Sequence, residues 1–335
     1  MWKSSVRSCR DCHPSEHPPQ HRCLSRLAAP VALSLVSEGL CLLTVHAHPD
    51  DESSKGASTV ARYGAAGVHT VLVCCTGGEL GDIANPAMDR PEIRENLAAV
   101  RADELLRATE IIGFDEIIML GYRDSGMADS EGNNDPTSFH QADLDEAVGR
   151  LVAVIRRTRP QVIMTYGDDQ QGYPHPDHLK VHDITLPAFE RAGDPAWYPE
   201  TGEPWTPLKL YYSVWSRERA QLMHQRFIDL QIESPYSDEW LTRAWQDHRV
   251  TTRVEIGDFH DVRTNALLAH ATQIDPTSKW WFGIPEDEAR TVYPFEDYTL
   301  ARSRVEAIAG EDLVGPLEPG AAARVRETDL FFGIA

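Results

Sequence analysis

The sequence predicts an α/β fold, a mostly parallel β-sheet flanked on both faces by helices. Three observations carry that prediction. From Leu40 onward, short apolar runs of strand length alternate with stretches whose apolar residues recur at helical spacing. The runs are apolar at successive positions, as expected of strands buried on both faces. Finally, clusters of ionisable residues stand at the ends of these runs, where such sheets place their working loops.

The elements follow in order. "LCLLTVHA" (40–47) is a first strand, and "SKGASTVARYGAAG" is a helix ending at Gly67. "HTVLVCCT" (69–76) is a second strand stopped by Gly77 and Gly78. After a polar loop, residues 91–113 show helical spacing and end on a C-terminal glycine, Gly113. "EIIMLGY" (116–122) is a third strand, residues 143–160 a further helix, and "QVIMTYG" (161–167) a fourth strand. Another helix opens near Pro176. After about residue 195 the character changes, and seven of the eight tryptophans fall there. Segments such as "KLYYSVW" and "VTTRVEI" read as strands. The expected organisation is a catalytic core over 37–195 and a C-terminal α+β elaboration over 196–335 that completes the fold and forms part of the cleft. The Gly/Ala/Pro-rich stretch 308–325 reads as a surface loop.

Residues 1–36 stand apart. The stretch is basic, rich in Pro and His, and lacks hydrophobic periodicity. Cys9-Arg-Asp-Cys12-His13 fits a c-type haem attachment pattern and offers zinc ligands, but nothing nearby reads as a fold to house either. "LAAPVALSLV" is a short apolar core preceded by too long a segment for a signal peptide. The stretch reads as a disordered extension, or as upstream sequence if translation starts at Val36.

Composition narrows the function. The 335 residues include 32 basic and 52 acidic side chains, a formal charge of −20. Such a surface repels nucleic acid and anionic membranes as main partners and leaves a small molecule as the expected one. No apolar run approaches the roughly 20 residues that span a bilayer. Cys74 and Cys75, adjacent on an apolar run, read as small core residues, which points to a reducing cytoplasm.

Two motifs carry chemistry. "HAHPDDE" (46–52) puts five ionisable groups directly after the first strand, and "GYPHPDH" (172–178) follows the fourth. His48 and Asp51, three apart on a strand-to-helix turn, can converge on one point. His178 joins them if the two strand ends are neighbours. Two imidazoles and one carboxylate with positions left open make a catalytic metal site, whereas structural sites are closed and rich in cysteine. Asp50, beside a ligand but not required as one, is placed to take a proton from water. His175 is placed to face a developing oxyanion as an imidazolium and to protonate a leaving amine. Asp177 is placed to orient either histidine, and Tyr173 to donate to a tetrahedral intermediate. His46 shares strand parity with His48 and reads as a supporting histidine, as does His182 one turn beyond His178. Each motif alone has a plainer reading, "HPD" as a helix start capped by Asp50 and "HPDH" as a proline turn. Both at strand ends favour the site. A phosphate-binding turn is excluded because "HAHPDDE" has no glycines and its carboxylates repel phosphate.

Together these motifs resemble the LmbE/PIG-L-like family of metal-dependent N-deacetylases, through most of the chain from about residue 38. The resemblance implies a Rossmann-like fold and a catalytic Zn2+, with Fe2+ as an alternative. It implies His48, Asp51 and His178 as metal ligands, Asp50 as general base, His175 as acid and stabiliser, and Tyr173 as a mobile tyrosine. Within the family, "HPDDESSKGA" with Lys55, "HATQIDP" (270–276) and the ending "LARSRV…ETDLFFGI" are most similar to the branch that hydrolyses mycothiol S-conjugates. They are less similar to the branch that deacetylates the sugar–inositol precursor. On that resemblance Lys55, Arg101 and Asp124 are substrate-binding residues. The expected function is hydrolysis of a linear amide bond in thiol detoxification, releasing glucosaminyl-inositol and an N-acetylcysteine S-conjugate. The alternative is deacetylation of the precursor or of another amino sugar. The first 35 residues and the 308–325 loop depart from the family pattern.

Overall fold

The computed structural model describes residues 39–168, 170, 173–305 and 325–334. The readings of the N-terminal stretch and, but for Val325, of the 308–325 loop lie outside these residues. A single seven-stranded sheet runs through the described chain in the order β3-β2-β1-β4-β5-β7-β6. Its strands are β1 (Cys41–His46), β2 (His69–Thr76), β3 (Glu116–Tyr122), β4 (Val162–Thr165), β5 (Lys209–Val214), β6 (Thr252–Glu255) and β7 (Phe295–Ser303). The first five strands are mutually parallel, while β7 pairs antiparallel with both β5 and β6.

The helices before β5 are α1 (Asp51–Ser54), α2 (Ala57–Ala65), α3 (Pro91–Arg94), α4 (Leu97–Ile112), α5 (Leu144–Thr158) and α6 (Pro176–Arg191). Beyond β5 come α7 (Arg217–Asp229), α8 (Asp238–Thr242), α9 (His260–Ala269), α10 (Lys279–Phe282) and α11 (Glu286–Val292). Strand alternation sorts the core into two layers. Leu43, Val45, Val71 and Val73 face the layer that holds Val148, Leu151, Val152, Val181 and Ile184 of α5 and α6. Leu42 and Met164 face the other way, toward Val60, Tyr63, Ala108, Ala266 and Phe331. Because both faces are covered, the strands are apolar at successive positions. Cys41 and Cys75 are free and buried in the first of these layers, and Cys74 is free and buried beside Leu72 and Leu105. No helix among the described residues is long and apolar enough to cross a membrane.

Three boundaries differ from the expectations. The helix expected from Ser54 begins at Ala57 as α2, separated from the short α1 at Gly56, whose φ of +100° strains any side chain and whose Cβ would lie 2.4 Å from Met164 Cε. The helix over 91–113 is two, interrupted at Glu95 and Asn96. Strand β7, "FEDYTLARS", was not among the expected strands, and it carries Glu296 and Asp297 within its length. Both are buried, Glu296 against Thr59 and Tyr298, and Asp297 against Arg253 and Tyr293.

Candidate metal centre and active site

From β1 the chain crosses outward to β2 and β3, then returns to β4 on the other side of β1. The crevice where strand order reverses, beyond the carboxyl ends, is where open α/β sheets bind ligands. The loop after β1 and the segment leading into α6 meet there.

His48 Nδ1, Asp51 Oδ2 and His178 Nε2 converge. Asp51 Oδ2 lies 3.4 Å from His48 Nδ1 and 3.3 Å from His178 Nε2. Donors about 2.1 Å from a tetrahedral divalent ion lie about 3.4 Å apart, so both spacings to Asp51 are those of donors sharing one ion. His48, His175 and Asp177 also lie close together. That second set is already spent: Asp177 accepts from the Ser125 N–H at 3.0 Å, from the Ser125 hydroxyl and from His48 Nε2 at 3.1 Å. His175 Nδ1 accepts the Asp177 N–H at 3.2 Å, capping α6. Of the two histidines Asp177 might orient, it holds His48, fixing a proton on Nε2 and turning Nδ1 to the centre.

The electrostatics favour a cation. Asp51, Asp124 and Asp177 are buried here and Asp50 is partly so, faced by the charges of Lys55 and Arg101. Burial opposes a charge on His48, but hydrogen bonds to Asp124, Asp177 and Asp51 outweigh it and raise its pKa well above the usual value. For Asp51 burial is likewise overcome, by Lys55 and His178, and its pKa falls well below the carboxylate range. Surroundings this acidic hold a proton, and equally a metal ion.

Asp50 does not cap a helix as the plainer reading supposed. Its side chain makes no cap bond, and its φ of 118° is a strained conformation for a residue with a Cβ. The strain is held from two sides. Glu52 Oε2 accepts the Asp50 N–H at 2.9 Å, and Arg101 Nη2 meets Asp50 Oδ2 at 3.2 Å while also bonding the carbonyl of Pro49. Burial raises the Asp50 pKa, and Arg101 works against the rise.

Three residues expected at the substrate are braced within the protein. Arg101 is buried and gives its terminal nitrogens to Gly78 O, Pro49 O and Asp50. Asp124 accepts from Leu80 N at 3.1 Å and Gly126 N at 2.8 Å, with His48 Nε2 at 3.5 Å. Lys55 Nζ bonds Asp51 Oδ1 at 2.7 Å. All three still border the cavity described below. Tyr173 is half exposed, its hydroxyl on Met127 Sδ. His175 departs from the imidazolium expected of it: burial and the neighbouring rings of His48 and His178 lower its pKa to about 4. With Nδ1 accepting, its neutral ring carries the proton on Nε2. His46 is buried edge-on to Tyr166, and burial lowers its pKa to about 4. His182 packs on Tyr212 and belongs to neither donor set.

The donors form one wall of a cavity of about 770 Å³ bordered also by Asp50, Tyr173 and His175. The family model "GlcNAc-PI de-N-acetylase" (PIG-L) matches residues 43–189. The mycothiol S-conjugate amidase of Streptomyces coelicolor is 46% identical over 290 residues, which are 83% of this chain and 97% of that protein. The chain belongs to the PIG-L family. A 1D-myo-inositol 2-acetamido-2-deoxy-alpha-D-glucopyranoside deacetylase of Streptomyces avermitilis is 38% identical over 88% of this chain and 97% of its own length. In fold, the N,N'-diacetylchitobiose deacetylase of Pyrococcus horikoshii superposes with a TM-score of 0.54 at 17% identity, over 78% of this chain and 83% of that one. As a PIG-L protein the chain is a hydrolase of amide bonds.

This PIG-L chain also uses residues to which the sequence assigned no role. Tyr166 stacks on His178 (centroids 4.5 Å apart, 13° between planes) and accepts the Ala47 N–H at 3.0 Å, tying the two strand ends together. Its position at the end of the fourth apolar run was the available signal. Glu52 pairs with His270 Nε2 at 2.6 Å across 218 positions, an ion pair with both groups buried. Burial opposes both charges, yet each partner favours the other's charged form. "HATQIDP" had been marked as a family likeness, and the structure shows what its histidine does. Glu52→Gln removes the charge that pairs with His270 and loosens the hold on Asp50. It is expected to lower kcat roughly 10–100-fold with KM and metal content little changed. Unchanged kcat in steady-state assays would mean the pair does not position Asp50.

Proposed function

We propose that this protein is a zinc-dependent amidase that hydrolyses mycothiol S-conjugates to glucosaminyl-inositol and an N-acetylcysteine S-conjugate, a detoxification step in the cytoplasm. The observation that carries the chemistry is the convergence of His48, Asp51 and His178 beside a strained, partly exposed Asp50. The 46% identity to an amidase of that name, over 97% of its length, supports the substrate.

Bound by these three residues, a divalent ion would polarise the amide carbonyl and acidify water. Zinc fits two imidazoles and a carboxylate with positions left open, and Fe2+ suits the same donors. Asp50, held by Arg101 and Glu52, accepts the proton of the attacking water and returns it to the leaving nitrogen. His175 donates from Nε2–H to the developing oxyanion, with Tyr173 as a second donor. Asp177 and Asp124 keep His48 turned, while Lys55 holds the oxygen of Asp51 that faces away from the histidines.

Relatives at 36–39% identity named as deacetylases favour a second reading, removal of acetate from the N-acetylated sugar–inositol. Enzyme reconstituted separately with Zn2+ and Fe2+ should be given a bimane-labelled mycothiol conjugate and the acetylated sugar–inositol side by side. A kcat/KM at least tenfold higher on the conjugate is expected, and the reverse preference would replace the first reading with the second.

A further inference from the structure

We propose that Trp215, Trp240, Trp280 and Trp281 form a subsite for a flat apolar group on the acyl side of the scissile amide. This rests on the amidase reading and deepens it.

The cavity that holds the metal donors is bordered by two chemically different sets of residues. Gly81, Asp82, Arg101, Asp124 and Gln273 border it with polar groups. The apolar set is Trp215, Trp240, Trp280, Trp281, Leu267 and Ile274, with the Arg243 guanidinium beside Trp240. An amide joining a sugar–inositol to an S-substituted acyl group has the same division. Its amine side carries hydroxyls and nothing apolar, so only the acyl side can offer an apolar surface to indoles.

The wall is built as a rigid receptor. Trp240 and Trp280 meet at 90° with centroids 5.1 Å apart, making a corner, and Trp215 stacks alongside Trp280 at 6.0 Å and 24°. Tyr236 fills the back of the corner, 5.0 Å from each. Tyr236 belongs to a separate small core with Phe227, Ile284 and Ala289, on which Trp240 and Trp280 pack. Arginines cover further ring faces: Arg219 over Trp215 at 4.2 Å, Arg243 over Trp240 at 4.4 Å, and Arg263 over Trp281 at 5.2 Å. Rings so held lose little freedom when a ligand stacks on them, which is how a preformed pocket gains affinity. Each of the four indoles is nonetheless only half-buried and shows part of its surface to the cavity. Acetate offers such a wall no flat apolar surface, whereas a bulky S-linked group does.

The test compares kcat/KM for a bimane conjugate with that for the S-methyl conjugate, in wild type and in the Trp281→Ala and Trp280→Leu variants. The acetylated sugar–inositol is a third substrate. Both rates come from one preparation, so loss of folded enzyme cancels from their ratio. Wild type is expected to prefer bimane by about tenfold or more, and each variant to lose most of that preference, as a hydrophobic pocket contact does. Cleavage of both conjugates with the same ratio in all three proteins would overturn the subsite and leave the amidase reading standing. Cleavage of the acetylated sugar alone would overturn both.

Discussion

Asp50→Asn is expected to lower kcat by on the order of 10²–10⁴-fold, the range a positioned general base contributes, with metal content close to wild type. The substitution keeps the shape of the side chain and removes only its ability to take a proton. Asparagine also tolerates positive φ better than most residues, so the strained backbone at 118° is not a new source of misfolding. Asp50 is not one of the three convergent donors, and metal analysis of the purified variant therefore separates loss of base from loss of ion. Turnover within a few-fold of wild type would assign the base elsewhere. The same substitution weakens the contact with Arg101, but that arginine keeps its bonds to the Pro49 and Gly78 carbonyls, so the loop stays anchored.

Lys209→Met is expected to cost about 3–5 kcal/mol of stability, because it leaves Glu327 buried without its cation. Lys209 is fully buried on β5, and its Nζ lies 2.7 Å from Glu327 Oε1. The other carboxylate oxygen accepts from the Tyr211 and Thr252 hydroxyls at 2.8 and 2.9 Å. Burial lowers the Lys209 pKa, and the bond to Glu327 is what holds its charge. The pair fastens the segment 325–334, which supplies Leu330 and Phe331 to the core, onto the antiparallel side of the sheet. A melting temperature lower by on the order of 10 °C should report the loss. The double variant Lys209→Met/Glu327→Leu should regain much of it, since the penalty lies in the stranded charge. A single variant as stable as wild type would show that water or rearrangement supplies Glu327 with a partner.

Neither the brace on Asp50 nor the Lys209–Glu327 pair was legible in the sequence, although each involves ordinary residue types. Glu52 sits inside the most conspicuous motif of the chain, yet its partner His270 is 218 positions away on the far side of an elaboration. Arg101 looked like a fork for sugar hydroxyls, and its place beside Gly78 and Pro49 shows that it first serves the loops. His175 was expected to act as an imidazolium, and only its burial, together with its packing against two other imidazoles, lowers its pKa.

What the sequence by itself determined is local. Apolar runs and helical spacing specify β1 to β5 and the helices between them, because strand and helix periods are expressed within a few residues. The spacing of His48, Asp50 and Asp51, and of His175, Asp177 and His178, places each set on one short turn, and the backbone there allows few directions for the side chains. The tertiary structure decided what depends on which elements become neighbours. Adjacency of β1 and β4 brings His178 to Asp51, and β7 entering between β5 and β6 buries the carboxylates of Glu296 and Asp297. The folding of 209–303 back along the sheet sets four tryptophans at the edge of the cavity that holds the donors. Such pairings are chosen by the burial of whole faces against one another, a property of the assembled layers that no short window of the chain carries.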